Sequence, residues 1–171
     1  MAGSGSVTSA GSDEKLHLAI QVPADWSRVE PVRSAVARCI MATLRDRDLE
    51  VSLGMVVAEL LENAIKYGRA GAPEIGVTVR VKGSRVHVTV ENEIDEKSDH
   101  VAVLRKRLDW MQTFHRPSDA YMAALKEIYG GSTSTLGGLG IVRIAHEGGC
   151  QIDCDTTEPG RIKIRAACPT R

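Results

Sequence analysis

Four polar residues with chemically useful side chains share one face of a predicted helix: Glu59, Glu62, Asn63 and Lys66. At about 100° per residue they fall within about 100° of arc, opposite an apolar stripe. Glu59 and Asn63 are one helical turn apart, so a carboxylate and a carboxamide point into the same space. One can polarise a hydroxyl group or a water molecule while the other ligates a hard cation through oxygen. The alternative is a solvated face on which Glu62 and Lys66 form an ordinary ion pair.

A glycine-rich segment later in the chain has a second chemical use. Gly137, Gly138, Leu139 and Gly140 precede an apolar helical pattern that starts at Ile141. Glycines ahead of a helix let backbone N–H groups converge, and the positive end of the helix dipole attracts phosphate. A flexible connector is the alternative interpretation.

The elements that must position these residues are readable from hydrophobic periodicity. The fold class that follows is α+β, a two-layer sandwich with a mixed or antiparallel sheet covered on one face by helices. Residues 1–14 are small and polar and predict a disordered tail, so 15–171 form a single domain with an insert over about 96–136. The predicted elements are a strand over 16–22, helices from Val29 and over about 51–67, a hairpin turning at 82–84, helices over about 99–114 and 118–129, a helix after Gly140, and a hairpin turning at 158–160.

The amino-acid composition excludes several classes of protein. The 171 residues are 43% hydrophobic, 26% charged and 4% aromatic, which predicts an aliphatic core and excludes disorder of the whole chain. Because 22 basic residues balance 22 acidic residues, general binding to nucleic acid or to an acidic membrane is not expected. No segment has the pattern of a secretion signal or the roughly 18 consecutive apolar residues of a membrane helix. We therefore expect a cytoplasmic protein.

The four cysteines are expected to be reduced. Cys150 and Cys154 belong to one strand pattern, and four residues of strand span about 13 Å, too far for a shared disulfide or zinc ion. Cys39 and Cys168 complete the set, and all four are predicted to act as small apolar side chains.

The run from Glu59 to Gly68 also resembles a known motif. It is similar to the N-box of GHKL (Bergerat-fold) ATPases, in the form found in anti-sigma-factor serine kinases of bacterial partner-switching systems. There the pattern is close to E-L-x-x-N-A-x-x-H-G, and Tyr67 stands where histidine is common. The glycine segment 137–140 resembles the second glycine box of the same family, and the order of predicted elements is also similar.

The resemblance implies ATP and Mg²⁺ as cofactors. Asn63 would coordinate the Mg²⁺, Lys66 would add positive charge near the phosphates, and the backbone of 137–140 would surround them. Glu59 would be the general base for a protein serine or threonine hydroxyl group, and the insert would be a lid.

The resemblance also implies a role in bacterial signalling. The protein would phosphorylate or sequester a partner, such as an anti-sigma-factor antagonist or a sigma-factor-like regulator, and homodimers are common among such kinases. One departure leaves an alternative open. Asn92 stands where the family has the aspartate that binds adenine, and Ile94 replaces the glycine that follows. The alternative is a protein-interaction module of the same fold without tight ATP binding.

Overall fold

The order of elements in the computed structural model follows the hydrophobic pattern of the chain. The structure describes residues 13–72, 74–131 and 138–170. Its elements are β1 (Glu14–Val22), α1 (Val29–Leu44), α2 (Arg47–Tyr67), β2 (Ile75–Lys82), β3 (Arg85–Glu93), α3 (His100–Gln112), α4 (Pro117–Tyr129), α5 (Leu139–Glu147), β4 (Gln151–Glu158) and β5 (Arg161–Pro169), with a short 3₁₀ turn (Trp26–Arg28) before α1. β1 begins at the last residue of the predicted tail, and residues 1–12 lie outside the described ranges.

The five strands form one antiparallel sheet in the order β1-β2-β3-β5-β4. Valines alternate along the central hairpin, and Val77, Val79, Val88 and Val90 are buried on the face that the helices cover. Arg80 and other polar residues on the opposite face are exposed or half-buried. The predicted two-layer α+β sandwich is therefore confirmed, with an antiparallel rather than a mixed sheet.

Helix α2 is the centre of the helical layer. It packs against α1, α5 and strands β2 and β3, and its apolar stripe, including Leu53, Val57 and Leu60, is fully buried. The helix begins at Arg47, four residues before the predicted start, because the Asp46 side chain accepts a hydrogen bond from the Leu49 amide at 2.9 Å. This packing leaves the polar face of α2 directed toward α3 and the start of α5.

The predicted insert contains two ordered helices. α3 packs against β4 and α4 packs against α5. A small apolar cluster of Ala120, Ala124 and Val142 joins α4 to α5, and Trp110 and Phe114 pack against it. These two aromatic side chains are half-buried and pack within the insert.

The prediction of four reduced thiols is wrong for two of the cysteines. Cys150 and Cys168 form a disulfide, with their Cα atoms 4.2 Å apart, whereas Cys39 and Cys154 are free. The prediction rested on the distance between two cysteines of one strand, Cys150 and Cys154, and did not consider pairs on neighbouring strands. In the folded sheet Gln151 pairs with Ala167, which places the two cysteines opposite each other on β4 and β5. Directly opposed residues in antiparallel strands are about 4.5–5.5 Å apart, which is within disulfide range.

None of the helices within the described ranges combines the length and the apolar character that crossing a bilayer requires.

Candidate functional site

A cavity of about 280 Å³ lies between α2, α3 and the start of α5. The polar side chains in its wall include Asn63 on α2, Asp99 before α3, and Arg107 on α3. Leu104 and Ile164 contribute apolar surface, and Gly138 closes the end where α5 begins. A concave site with apolar walls and a few convergent polar groups is typical of a ligand-binding pocket.

Two of the sequence-predicted residues meet at this cavity. Asn63 is half-buried and lines it together with Gly138. Glu59 lies next to it rather than in its wall. The Glu59 carboxylate lies beside Gly140, where a Cβ atom would overlap Oε2 unless the glutamate side chain moved. The polar face of α2 and the glycine segment therefore do face each other.

Glu59 is held by an arginine of α5. Arg143 Nη1 donates a hydrogen bond to Glu59 Oε1 at 3.0 Å, and Arg143 Nε donates one to Glu147 at 3.0 Å. Burial raises the pKa of Glu59 above its usual 4.5, while the hydrogen bond and charge of Arg143 oppose that rise. Arg143 contacts only Oε1, so Oε2 of Glu59 remains able to accept a hydrogen bond.

Lys66 and Leu139 are not brought to the cavity. Lys66 is exposed, and its Nζ lies 5.0 Å from the centre of the Tyr67 ring. Leu139 is half-buried against the apolar cluster between α4 and α5. Gly137 lies outside the described residues.

The Asn92 side chain is buried and hydrogen-bonded to the backbone. It is 3% exposed, and its Nδ2 donates to the Glu93 carbonyl at 3.1 Å and to the Ala64 carbonyl at 3.5 Å. The side chain therefore links the end of β3 to the end of α2. Ile94 is buried in the main core. The positions that were expected to recognise adenine thus serve packing and backbone hydrogen bonding.

Sequence reasoning did not assign Arg107 to this cavity. This residue is only 6% exposed, Nη1 donates to Glu127 Oε2 at 3.1 Å, and the guanidinium carbon lies 4.1 Å from the centre of the Trp110 ring. The sequence did contain one indication of its role. Arg107 comes three residues after Leu104 on the apolar side of α3, where an arginine is unusual.

His100 was also missed. Its ring stacks on Tyr67 with centroids 4.1 Å apart and an angle of 13° between the planes, and both residues line the cavity. Burial lowers the pKa of His100 below its usual 6.5, so the ring is neutral near pH 7. No local pattern links two residues that are this far apart in the chain.

The cavity wall contains side-chain oxygen atoms of the kind that bind Mg²⁺. Within the described ranges, no three His, Cys, Asp or Glu side chains are grouped to hold a metal ion by themselves. Asn63 and Asp99, however, both place oxygen-bearing side chains in the wall of the cavity. Mg²⁺ is usually held by one or two protein oxygens together with phosphate oxygens and water, so these residues fit a shared metal rather than an all-protein site.

The chain matches no protein-family profile and no curated protein sequence. Among solved structures it is similar to a chain of the SiaB–SiaC complex from Pseudomonas aeruginosa, with a TM-score of 0.70, 18% sequence identity, and 88% of each chain covered. The similarity is one of fold.

The assignment to the GHKL ATPases and their anti-sigma-factor serine kinases is wrong. The chain matches no family profile, and a structure to which its fold is similar is that of the SiaB–SiaC complex. The physical reason lies in the motif itself. Leu60 and Ala64, two of the five residues that match the pattern, are buried core residues, and any amphipathic helix on this sheet requires such residues.

Proposed function

We propose that this chain is a regulatory protein of bacterial signal transduction that binds a partner protein, and that ATP with Mg²⁺ in the cavity between α2, α3 and α5 controls that binding. The first part is supported by the similarity of the fold to a chain crystallised as half of a two-protein complex. The second part depends on a single observation. Asn63, Arg107 and the N-terminus of α5 converge on one cavity.

The charges around the cavity favour a phosphate-bearing ligand. Arg107 supplies a guanidinium group, and the first N–H groups of α5 add the positive end of a helix dipole. Asn63 and Asp99 would hold the Mg²⁺, which would neutralise phosphate oxygens. The apolar surface of Leu104, together with the Tyr67 and His100 rings, would accept a less polar part of the ligand.

The geometry favours binding over phosphoryl transfer. Glu59, the expected base, is hydrogen-bonded to Arg143 and is outside the cavity wall. Sequestration of a partner needs no base, whereas transfer to a hydroxyl group does.

The nucleotide part is tested by calorimetric titration with ATP and ADP, with and without Mg²⁺. We expect Mg²⁺-dependent binding by the wild type and at least about tenfold weaker binding by Asn63→Ala, which corresponds to the loss of about 1.4 kcal/mol. Glu62→Gln is the matched control, because Glu62 is the exposed neighbour of Asn63 on the same helix, and its affinity should be unchanged. A flat wild-type titration would contradict ATP binding and favour the interaction module, in keeping with the structural use of Asn92 and Ile94.

The partner part is tested in two steps. Immobilised protein is used to capture partners with and without ATP and Mg²⁺, and the purified pair is then titrated under both conditions. We expect a one-to-one complex whose dissociation constant changes at least about tenfold with nucleotide, a typical allosteric coupling. A purified pair with the same affinity in both conditions would contradict control by the cavity.

A further inference from the structure

Arg107 is a buried cation with an incomplete set of partners. Its side chain is 6% exposed, and Nη1 has one carboxylate partner, Glu127 on α4, at 3.1 Å. Its Nε atom is buried and donates no hydrogen bond to any described residue. The face of the guanidinium group lies on the Trp110 ring. A buried charged group with an unsatisfied donor is costly unless a further partner completes it.

The N-terminus of α5 lies against the same side chain. Arg107 packs across Gly138 so closely that a Cβ atom at this glycine would come within 2.5 Å of Nε and 3.1 Å of Cδ. Glycine has no side chain that could cap α5. The first backbone hydrogen bond of the helix is donated by the Val142 N–H group to the Gly138 carbonyl. The N–H groups of Gly138 to Ile141 therefore have no partner within the helix.

Two positive groups are thus held together at one end of the cavity. The nearest carboxylate to Arg107, Glu127, is 36% exposed and belongs to α4 rather than to the cavity wall. Helix dipole and guanidinium group both favour a negative ligand, and a phosphate group has the oxygen geometry that matches the planar donors of arginine.

We propose that Arg107 is a phosphate-binding residue that α3 contributes to the cavity, and that the bound phosphate replaces Glu127 as the partner of its guanidinium group. The inference rests on the proposed function in placing a phosphate-bearing ligand in this cavity, but it requires only the phosphate groups and not the adenine. Release of Glu127 would connect occupancy of the cavity to α4, which packs against α5.

The test measures binding of inorganic pyrophosphate and of ATP, each with Mg²⁺, by calorimetry. Arg107→Gln should bind both ligands at least tenfold more weakly than the wild type. The affinity of Arg107→Lys should lie between those of the wild type and Arg107→Gln, because lysine keeps the charge but loses the planar donors. Arg105→Gln is the matched control, since Arg105 is an exposed arginine on the same helix, and it should bind both ligands as the wild type does.

Glu127→Gln separates a binding role from a structural one. If Glu127 competes with phosphate for Arg107, this variant should bind pyrophosphate three- to tenfold more tightly, and pyrophosphate should raise its melting temperature more than that of the wild type. If the Arg107–Glu127 pair only stabilises the fold, the affinity of Glu127→Gln will be unchanged or lower, which overturns the inference. The Glu127→Gln measurement tests the role of Arg107 even if Arg107→Gln does not fold.

The two ligands also separate the inference from the proposed function. Binding of pyrophosphate with the expected variant pattern, but no binding of ATP, supports Arg107 as a phosphate residue and overturns the nucleotide. Binding of ATP with wild-type affinity in both Arg107→Gln and Glu127→Gln overturns the inference and leaves the nucleotide supported. No binding of either ligand to the wild type overturns both.

Discussion

Asn92 is the residue whose chemistry is most tightly defined by its surroundings. Its amide donates to two backbone carbonyls in a buried position, and a carboxylate could not donate to either. We predict that Asn92→Asp lowers the free energy of unfolding by about 3–5 kcal/mol at pH 7.5, as burial of an unpaired charge does. Part of the loss should be recovered at pH 4, because the buried carboxyl group, with a raised pKa, is then protonated and able to donate.

Urea denaturation at both pH values measures this effect. Asn92→Ala is the control, because it loses the same hydrogen bonds without adding a titrating group, so its deficit relative to the wild type should not depend on pH. Equal stability of Asn92→Asp and the wild type at pH 7.5 would mean that the Asn92 amide is not a required donor.

Glu59 offers a prediction about protonation. Burial, the largest influence, raises its pKa above 4.5, and Arg143 opposes this rise. Because the folded protein then holds a proton that the unfolded chain releases, this group's contribution to stability is present below pH 4.5 and is lost as pH rises through the folded pKa. A ¹³C titration of the Glu59 carboxyl group should give a midpoint above 4.5, and a higher one in Arg143→Gln. A midpoint below 4.5 in the wild type would show that Arg143 outweighs burial.

At the scale of elements, the end of α5 is packed without spare space. A Cβ atom at Gly148 would lie 2.5 Å from the Ile144 carbonyl oxygen and 2.9 Å from Val56 of α2. We predict that Gly148→Ala lowers the free energy of unfolding by about 1–3 kcal/mol, because α5 must move away from α2. Gly76→Ala is the matched control, since its Cβ would make only ordinary contacts, with the Gln21 side chain at 3.4 Å and the Glu91 carbonyl oxygen at 3.8 Å. Its stability in urea should equal or slightly exceed that of the wild type. Similar losses in both variants would argue against a tight α2–α5 contact.

The link between β4 and β5 can be tested by counting thiols. The Cys150–Cys168 disulfide closes a loop with a sequence separation of 18, which corresponds to about 3 kcal/mol in the chain-entropy description. Denatured, unreduced protein should therefore show two reactive thiols, Cys39 and Cys154, and reduced protein should show four.

Cys168→Ala should cost about 2–4 kcal/mol of stability under oxidising conditions and should be insensitive to added reductant. The Cys154→Ala variant, which keeps the bridge, should remain sensitive to reductant. Four reactive thiols in protein purified without reductant would contradict the disulfide.

At the scale of the whole molecule, α2 joins the two layers and also forms one wall of the cavity. It contacts the sheet, α1 and α5, so a ligand bound beside Asn63 should stabilise the domain as one unit. At a hundred times the dissociation constant, ATP with Mg²⁺ should stabilise the protein by about 2.7 kcal/mol. This corresponds to a rise of roughly 5–11 °C in melting temperature for a domain of this size. Differential scanning fluorimetry should show a single shifted transition in the wild type and in Glu62→Gln, and at the same ligand concentration a shift of about half that size or smaller in Asn63→Ala. An unshifted wild type at saturating ATP would contradict the nucleotide site.

Local periodicity was enough to predict most of the elements. The alternating valines of β2 and β3, the apolar stripe of α2 and the end of that helix before Gly68 all appear where the pattern places them. These features depend on residues within a few positions of one another, because the repeats of helix and strand and the chemistry of turns are local properties. The approach of Glu59 and Asn63 to the glycine segment did not follow from these local patterns, and only the resemblance of the motif had implied it.

The tertiary structure decided everything that depends on contacts distant in the chain. Pairing of β3 with β5 and of β4 with β5 brought Cys150 opposite Cys168, and the packing of α3 placed Arg107 on Gly138. The same packing gave Asn92 two carbonyl acceptors where the local motif had indicated a ligand residue. Periodicity states which face of an element is buried but not which neighbour covers it. The partners of each polar side chain, and with them the character of the site, therefore came only from the folded arrangement.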